Sequence, residues 1–288
     1  MLTACASNNS DPNGPGGSDA GPADTGQPGQ DGGLIAPDGG AFDDGGPDAE
    51  TPDGNPTPDG GFVDPGEVSA LSDEFDDAAS LASWSILNVV EGTASLYTRL
   101  DIASGRATIV PIQSGWFGDG KGPFVYKHVT GNFVMQAHVT ARNTSNAQNP
   151  PSRQYNSAGL LVRDPASVSG SENWLMYNVG FQETFVGTEG KTTVDSTSQL
   201  FLTPGAKSGR LVICRLGSAF SMWRRLDGEN TWQETDHFDR PDLPARLQVG
   251  IIANGYEGPP DITAEFEYIR FEVPNSVNDC TTDLQARN

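Results

Sequence analysis

The sequence predicts an all-β domain, a sandwich or barrel of many short strands, over residues 69–275. Three observations carry this reading. Apolar residues alternate with polar ones instead of recurring at helical spacing. Turn residues break the alternation at short intervals. No segment shows an amphipathic helical pattern longer than two turns. Short strands with regular turn punctuation describe a sandwich or barrel and exclude a helical bundle or a βαβ fold.

The elements follow in order. The first strand is expected at 84–90, the next at 106–111 and 123–129. The Thr130-Gly131-Asn132 turn then leads into the clearest alternation, over 132–141. There Phe133, Met135, Ala137 and Val139 share one face, and Val134, Gln136, His138 and Thr140 the other. Further strands are expected at 157–163, 173–181, 198–202, 210–216, 219–226, 247–253 and 262–273. Gly217-Ser218 and Leu226-Asp227-Gly228 mark turns among them.

The N-terminal region differs in kind. Residues 1–70 hold 13 acidic residues, 16 Gly and 10 Pro, no Lys or Arg, and two aromatics, Phe42 and Phe62. Such a segment buries too little apolar surface to offset its ordering entropy, so residues 6–68 are expected to form a disordered linker. Pro37-Asp38-Gly39-Gly40, Pro52-Asp53-Gly54-Asn55 and Pro58-Asp59-Gly60-Gly61 form an irregular repeat of turn chemistry, without the spacing of collagen or a solenoid. At its head, Leu2-Thr3-Ala4-Cys5 resembles a bacterial lipobox, whose Cys is lipidated. Only four residues precede Cys5 and none is basic, which departs from a secretory signal. The competing reading is a chance string. The lipobox reading makes 1–5 a lipobox remnant and places the protein in the cell envelope. Ala6-Ser7 after the Cys leans toward the outer membrane of a Gram-negative bacterium.

The net charge of −21 splits into −13 for residues 1–70 and −8 (25 acidic against 17 basic) for 71–288. That argues against nucleic acid and against a polybasic grip on anionic lipid, leaving the N-terminal lipid as the expected membrane contact. With Cys5 assigned to lipid, Cys214 and Cys280 form one disulfide that staples the tail, 276–288, to the domain. The alternative is a buried thiol at Cys214 and a free Cys280.

Several motifs in order resemble concanavalin A-like lectin/glucanase domains, and within them the DUF1349 and β-xylosidase C-terminal-like branch. They are Ser72-Asp-Glu-Phe-Asp76 with Trp84, Ser157-Ala-Gly-Leu-Leu-Val-Arg163, the Leu211–Trp223 hairpin with Gly228 and Trp232, Val249-Gly-Ile-Ile-Ala253, and Phe266-Glu-Tyr-Ile-Arg-Phe271. The resemblance implies a jelly-roll of two curved antiparallel sheets. It also implies a carbohydrate-binding or accessory module, with glycosidases in other branches.

Catalytic residues are not expected. Retaining glycosidases of this class place two carboxylates on one strand face, about 5 Å apart. The nearest string, Glu234-Thr-Asp-His-Phe-Asp239, runs into Arg240-Pro241, a loop signal. Glu265, Glu267 and Glu272 read as solvent-facing acids of the last strand. A structural Ca²⁺ could be held by Asp73, Asp76 and Asp261, with Asp77 beside them; the competing reading makes them turn and cap acids.

Sugars are bound by aromatic rings flanked by planar polar groups. The candidates are Trp116, Arg163, Trp174, Tyr177, Trp223 and Arg225, with Trp232 and Arg215 behind them. Alternation separates Trp174 from Tyr177, so both cannot face one cleft without a bulge. Trp116 stands out because it lies in a Gly-rich loop, 114–121, where an aromatic is placed to meet a partner. A glycan partner is therefore expected, with a structural or protein-interaction module of the envelope as the alternative. The oligomeric state is not defined by the sequence.

Overall fold

The computed structural model describes residues 65–87 and 96–285; Cys5 and linker residues 6–64 lie outside the described residues. The chain enters through a helical turn, α1 (Pro65–Ser69). Residues 65–68, assigned to the linker from composition, are therefore part of the folded body, and Val68 is buried in its core.

Among the described residues fourteen strands follow. They are β1 (Ser85–Ile86), β2 (Tyr97–Ile102), β3 (Ala107–Pro111), β4 (Phe124–Thr130), β5 (Phe133–Asn143), β6 (Asn156–Arg163) and β7 (Trp174–Phe181). Then come β8 (Val186–Val194), β9 (Thr197–Pro204), β10 (Ser208–Leu216), β11 (Ala219–Leu226), β12 (Gln233–Asp239), β13 (Arg246–Gly255) and β14 (Ile262–Glu272). They build two seven-stranded antiparallel sheets. The first has the order β1-β4-β13-β6-β7-β8-β9, the second β12-β11-β10-β5-β14-β3-β2. This is the jelly-roll sandwich of concanavalin A-like type. The expected strand at 84–90 pairs with β4 through Ser85 and Ile86, the Leu87 N–H donates to the Phe124 carbonyl at 2.8 Å, and its last residues, 88–90, lie outside the described residues.

The core lies between the sheets and is built by alternation. β5 contributes Phe133, Met135, Ala137 and Val139, the face read from the sequence. Facing it from the first sheet are Leu160 and Val162 of β6, Leu175, Tyr177 and Val179 of β7, and Val249 and Ile251 of β13. The Gly131 turn (φ 83°) carries the chain from one sheet to the other between β4 and β5, while Gly217 (φ 64°) closes the β10–β11 hairpin.

The strands β2, β8 and β12 were not expected, for identifiable reasons. β8 carries Gly187, Glu189, Gly190 and Lys191 in place of an apolar alternation. The β8–β9 turn has positive φ at two non-glycine residues, Asp195 (45°) and Ser196 (61°), so the usual Gly signal for such a turn is missing. β12 is a paired strand with a register shift against Met222 and Trp223 of β11.

The outer face of the second sheet is covered by the chain's own tail. Cys214 of β10 is joined to Cys280, closing a separation of 66 residues. Val134, Val212, Cys280 and Leu284 pack into one apolar cluster around that bridge. Gln136 accepts a hydrogen bond from the Leu284 N–H at 3.2 Å and donates one to the Thr282 carbonyl at 3.2 Å. The tail is thus an integral layer of the domain. Among the described residues no helix is long and apolar enough to cross a membrane.

Candidate functional site

The outer face of the first sheet carries the candidate site. Because Leu160, Tyr177 and Ile251 point into the core, their neighbours point outward: Leu161 on β6, Trp174 and Met176 on β7, and Ile252 and Asn254 on β13. On β8 the outward positions across from Asn178 and Met176 are Glu189 and Lys191. The loop 112–123, between β3 and β4, folds over this face. Trp116 packs edge-on against Phe124 and against Trp174, both at 5.8 Å between ring centroids.

Polar contacts hold that loop at several points. The Trp116 N–H donates to Asn254 Oδ1 at 3.0 Å, and the Trp116 carbonyl accepts from Lys191 Nζ at 2.8 Å. The Gly118 N–H donates to Ser198 Oγ at 2.8 Å. The Asp119 carboxylate accepts from the Ser196 hydroxyl, from the Gly170 N–H at 2.8 Å and from the Ser169 hydroxyl at 3.1 Å. The Ser196 bond foremost, then the Gly170 bond, holds the Asp119 carboxyl below its ordinary value.

Beside Trp116 the face opens into a pocket of about 110 Å³. Its walls are Trp116, Phe117, Tyr155 and Tyr256, completed by Gly115, Leu200, Lys191 and Asn254. Tyr155 and Tyr256 meet edge to face at 5.8 Å. Phe117 and Tyr256 are 54% and 57% exposed, so two rings reach solvent at the pocket mouth. The Tyr155 hydroxyl donates to Glu183 Oε1 at 2.9 Å, and its ionisation is pushed well up by burial and by that carboxylate.

Under the pocket lies a desolvated ion pair. Lys191 Nζ stands 2.7 Å from Glu189 Oε1, with side chains 4% and 0% exposed. Burial pushes the Glu189 carboxyl above its ordinary value, and the Lys191 ammonium opposes this only in part.

The expected site residues distribute differently from the sequence reading. Trp116 does line the pocket, but it is buried and offers no exposed ring face. Trp174 is fully buried beneath it. Arg163 is spent on structure: it grips both Glu172 oxygens at 2.8 Å, and also donates to Gln248 and to the Ser167 carbonyl. Tyr177 points the other way, into the core, where its hydroxyl accepts from Thr235 at 2.9 Å. Trp223 and Arg225 belong to the opposite sheet. Trp223 packs on the disulfide cluster, and Arg225 donates to both Asp283 oxygens of the tail at 2.7 Å while lying over Trp232. These two therefore cannot share a cleft with Trp116. Arg215, likewise, donates to the Pro244 and Ala245 carbonyls.

The residues the sequence reading missed are Phe117, Tyr155, Tyr256, Lys191 and Asn254. A usable signal existed for two of them: Phe117 stands beside Trp116 in the same Gly-rich loop, just before Gly118. Tyr256 follows Gly255 and precedes Gly258, the same aromatic-in-a-glycine-loop pattern that singled out Trp116.

The expected metal set does not assemble. Asp73 bridges to Ile269 near one end of β14, whereas Asp261 precedes the other end, roughly 25 Å away along an extended strand. Asp73 accepts from the Phe75 N–H and the Trp84 indole, and Asp261 accepts from Asn143 and from Ser152. These are loop-organising acids. Among the described residues no group of three or more His, Cys, Asp or Glu is arranged to hold an ion, and Asp76 stands apart from Asp261 as Asp73 does.

The Glu234–Asp239 string forms no facing carboxylate pair. The register shift turns Thr235 to Tyr177 and Asp236 inward over Gly190, while Glu234 contacts His237 at 3.3 Å on the surface. Burial pushes the Asp236 carboxyl up.

No protein-family model and no curated protein matches the sequence. Solved structures do match in fold. One is a functionally unknown protein from Saccharomyces cerevisiae, with a TM-score of 0.52 and 15% identity, covering 68% of this chain and 99% of that one. Another is the GH43 protein BlXynB from Bacillus licheniformis (TM-score 0.52, 14% identity, 70% of this chain). A third is the xylan β-1,4-xylosidase of Bacillus halodurans C-125 (TM-score 0.51, 15% identity, 70% of this chain). The match spans only 39% and 38% of those two GH43 and xylosidase chains, well under half of either. These neighbours share the fold, a sandwich of two antiparallel β-sheets.

Proposed function

We propose that this protein is a non-catalytic, carbohydrate-binding β-sandwich of the bacterial cell envelope, lipid-anchored through Cys5 and carried on the acidic linker at the outer membrane. The observation that carries the binding reading is the aromatic pocket on the first sheet. Phe117, Tyr155 and Tyr256 supply ring surfaces for sugar C–H groups, and Lys191 and Asn254 supply hydrogen-bonding groups beside them. The GH43 and xylosidase neighbours, which share this fold over part of their length, support a sugar ligand. Binding by the full chain to a broad panel of immobilised polysaccharides, with and without EDTA, tests it. Retention that is lost in Tyr256→Ala supports the reading, and no retention on any glycan overturns it. Labelling with radioactive palmitate in wild type but not in Cys5→Ser tests the anchor, and equal labelling overturns it.

A structural role in the envelope is the second reading. It is favoured by the way loop 112–123 fills the middle of the sheet face with Trp116. It predicts no glycan affinity and a stable protein partner at the same face.

A further inference from the structure

The pocket lies at one side of a barrier, and this bears on which part of a glycan can enter. Residues 115–117 of the loop line the aromatic pocket. Residues 119–121 of the same loop line a separate, wider depression with Arg163, Val168 and Gln248. The loop thus divides the outer face of the first sheet into two compartments. Its hold on the sheet spans three strands and a facing loop: Asn254 on β13, Lys191 on β8, Ser198 on β9, and Gly170 between β6 and β7. Lys121 adds an ion pair at 2.8 Å to the fully buried Glu172.

From this division we infer that the pocket takes the terminal unit of a glycan chain, end-on, and not an internal stretch laid along the sheet. The inference rests on the carbohydrate-binding reading above and sharpens it. An internal stretch of a polysaccharide needs a groove open at both ends. Here Trp116 and its anchored backbone close one end, and solvent reaches the pocket past Phe117 and Tyr256. The volume, about 110 Å³, is far below that of a cleft for several sugars. The polar groups at the closed end also suit a chain terminus. The Lys191 ammonium has three N–H groups; one goes to the Trp116 carbonyl and one faces Glu189. The same ammonium lies 5.6 Å from the Phe117 ring centroid and 5.9 Å from that of Tyr155, so a free terminal hydroxyl, which an internal unit would have used in its glycosidic linkage, meets a cationic donor there by displacing those ring contacts.

The test uses the full chain on an array of oligosaccharides coupled through their reducing ends. The best-bound sequence is then titrated at increasing chain length, and again with its non-reducing terminal unit O-methylated. The expected result is affinity that stays within about twofold as the chain lengthens and falls by about tenfold or more on methylation. Tyr256→Ala should lose binding about tenfold, and Val168→Ala, in the other compartment, should leave it unchanged. Affinity that climbs steadily with chain length, or survives methylation, overturns end-on recognition while leaving carbohydrate binding intact. Silence across the array overturns both.

Discussion

Lys191 and Trp116 lie 75 residues apart and are joined by one hydrogen bond, from Nζ to the Trp116 carbonyl at 2.8 Å. That bond ties loop 112–123 to the middle of β8. The same ammonium stands 2.7 Å from Glu189, so one side chain both anchors the loop and offsets part of the cost of burying an acid.

This dual role predicts a non-additive mutational cycle. Lys191→Met leaves Glu189 buried without its partner and frees the loop, and should cost about 3 kcal/mol or more. The double variant Lys191→Met/Glu189→Gln removes the charge problem and should be less damaging than Lys191→Met alone. Urea unfolding of the single and double variants checks this; simple additivity of the two losses would refute the coupling.

The disulfide prediction concerns the tail. Cys280→Ser releases the constraint on a 66-residue separation and should cost about 2–5 kcal/mol. The tail covers Trp223 and Trp232, so reduction or substitution should also shift tryptophan emission to the red. Unchanged stability and emission would mean that Gln136, Arg225 and Arg270 hold the tail without the bridge.

How far the sequence carried follows from what each residue had to announce. Strands with apolar alternation, such as β5 and β7, were legible because a core face must repeat every second residue. β8 was not, because its outward face buries a Glu–Lys pair and its turn uses Asp195 and Ser196 in a glycine conformation. Cys214 and Cys280 could be matched by elimination, since few cysteines exist. The site was harder. Alternation tells two faces of a strand apart but not which of two sheets a strand joins, so Trp223 and Arg225 were grouped with Trp174. Arg163 looked like a ligand residue because nothing in its own strand reveals Glu172, which reaches it from the β6–β7 loop.

Two buried carboxyls predict opposite pH effects. For Glu172, burial acts to raise the pKa, but hydrogen bonds from Arg163 and Lys121 overcome it and hold the group below its ordinary value. Its contribution is complete above the unfolded value of about 4.3 and is lost as pH falls through the lowered folded value. For Glu189, burial wins and the group is raised. Its contribution is complete below about 4.3 and is lost as pH rises through the raised folded value. The stability difference between wild type and Glu172→Gln should therefore grow with rising pH in the acid range. The difference between wild type and Glu189→Gln should shrink with rising pH above it. Denaturant titrations across both ranges measure the two slopes, and equal signs would contradict the assignment.

Gly159 predicts where the Ser157–Arg163 strand tolerates no side chain. A Cβ built on it would lie 2.0 Å from the Tyr177 carbonyl oxygen, a backbone atom that cannot step aside. Gly159→Ala should therefore destabilise by about 2 kcal/mol or more, beyond the usual cost of a surface change. A variant unfolding at the wild-type denaturant midpoint would show that β6 and β7 can separate locally.

Tyr177 and Tyr256 contrast a core aromatic with an exposed one at the pocket mouth, the ring that the proposed glycan binding would use. Tyr177 is fully buried, and its hydroxyl is satisfied by Thr235 on the opposite sheet. Tyr177→Phe leaves the ring in place but removes the hydroxyl to which Thr235 donates, leaving Thr235 its longer bond to the Met222 carbonyl at 3.4 Å, so it should cost about 1 kcal/mol of stability. It should not alter glycan retention, because the ring faces the core and not the pocket. Tyr256 is the reverse case. It is 57% exposed at the pocket mouth, where its ring meets that of Tyr155 and lies beside Gly115. Tyr256→Ala should change stability by less than about 0.5 kcal/mol, since little buried surface is lost. It should abolish most of the glycan retention, since a stacking ring is removed. Thermal unfolding and retention on an immobilised glycan, run on both variants, give four readings. The crossed pattern, stability lost in one and binding lost in the other, is the outcome the geometry requires. A Tyr177→Phe protein that fails to bind while folding normally would place the ligand between the sheets and discard the outer-face pocket.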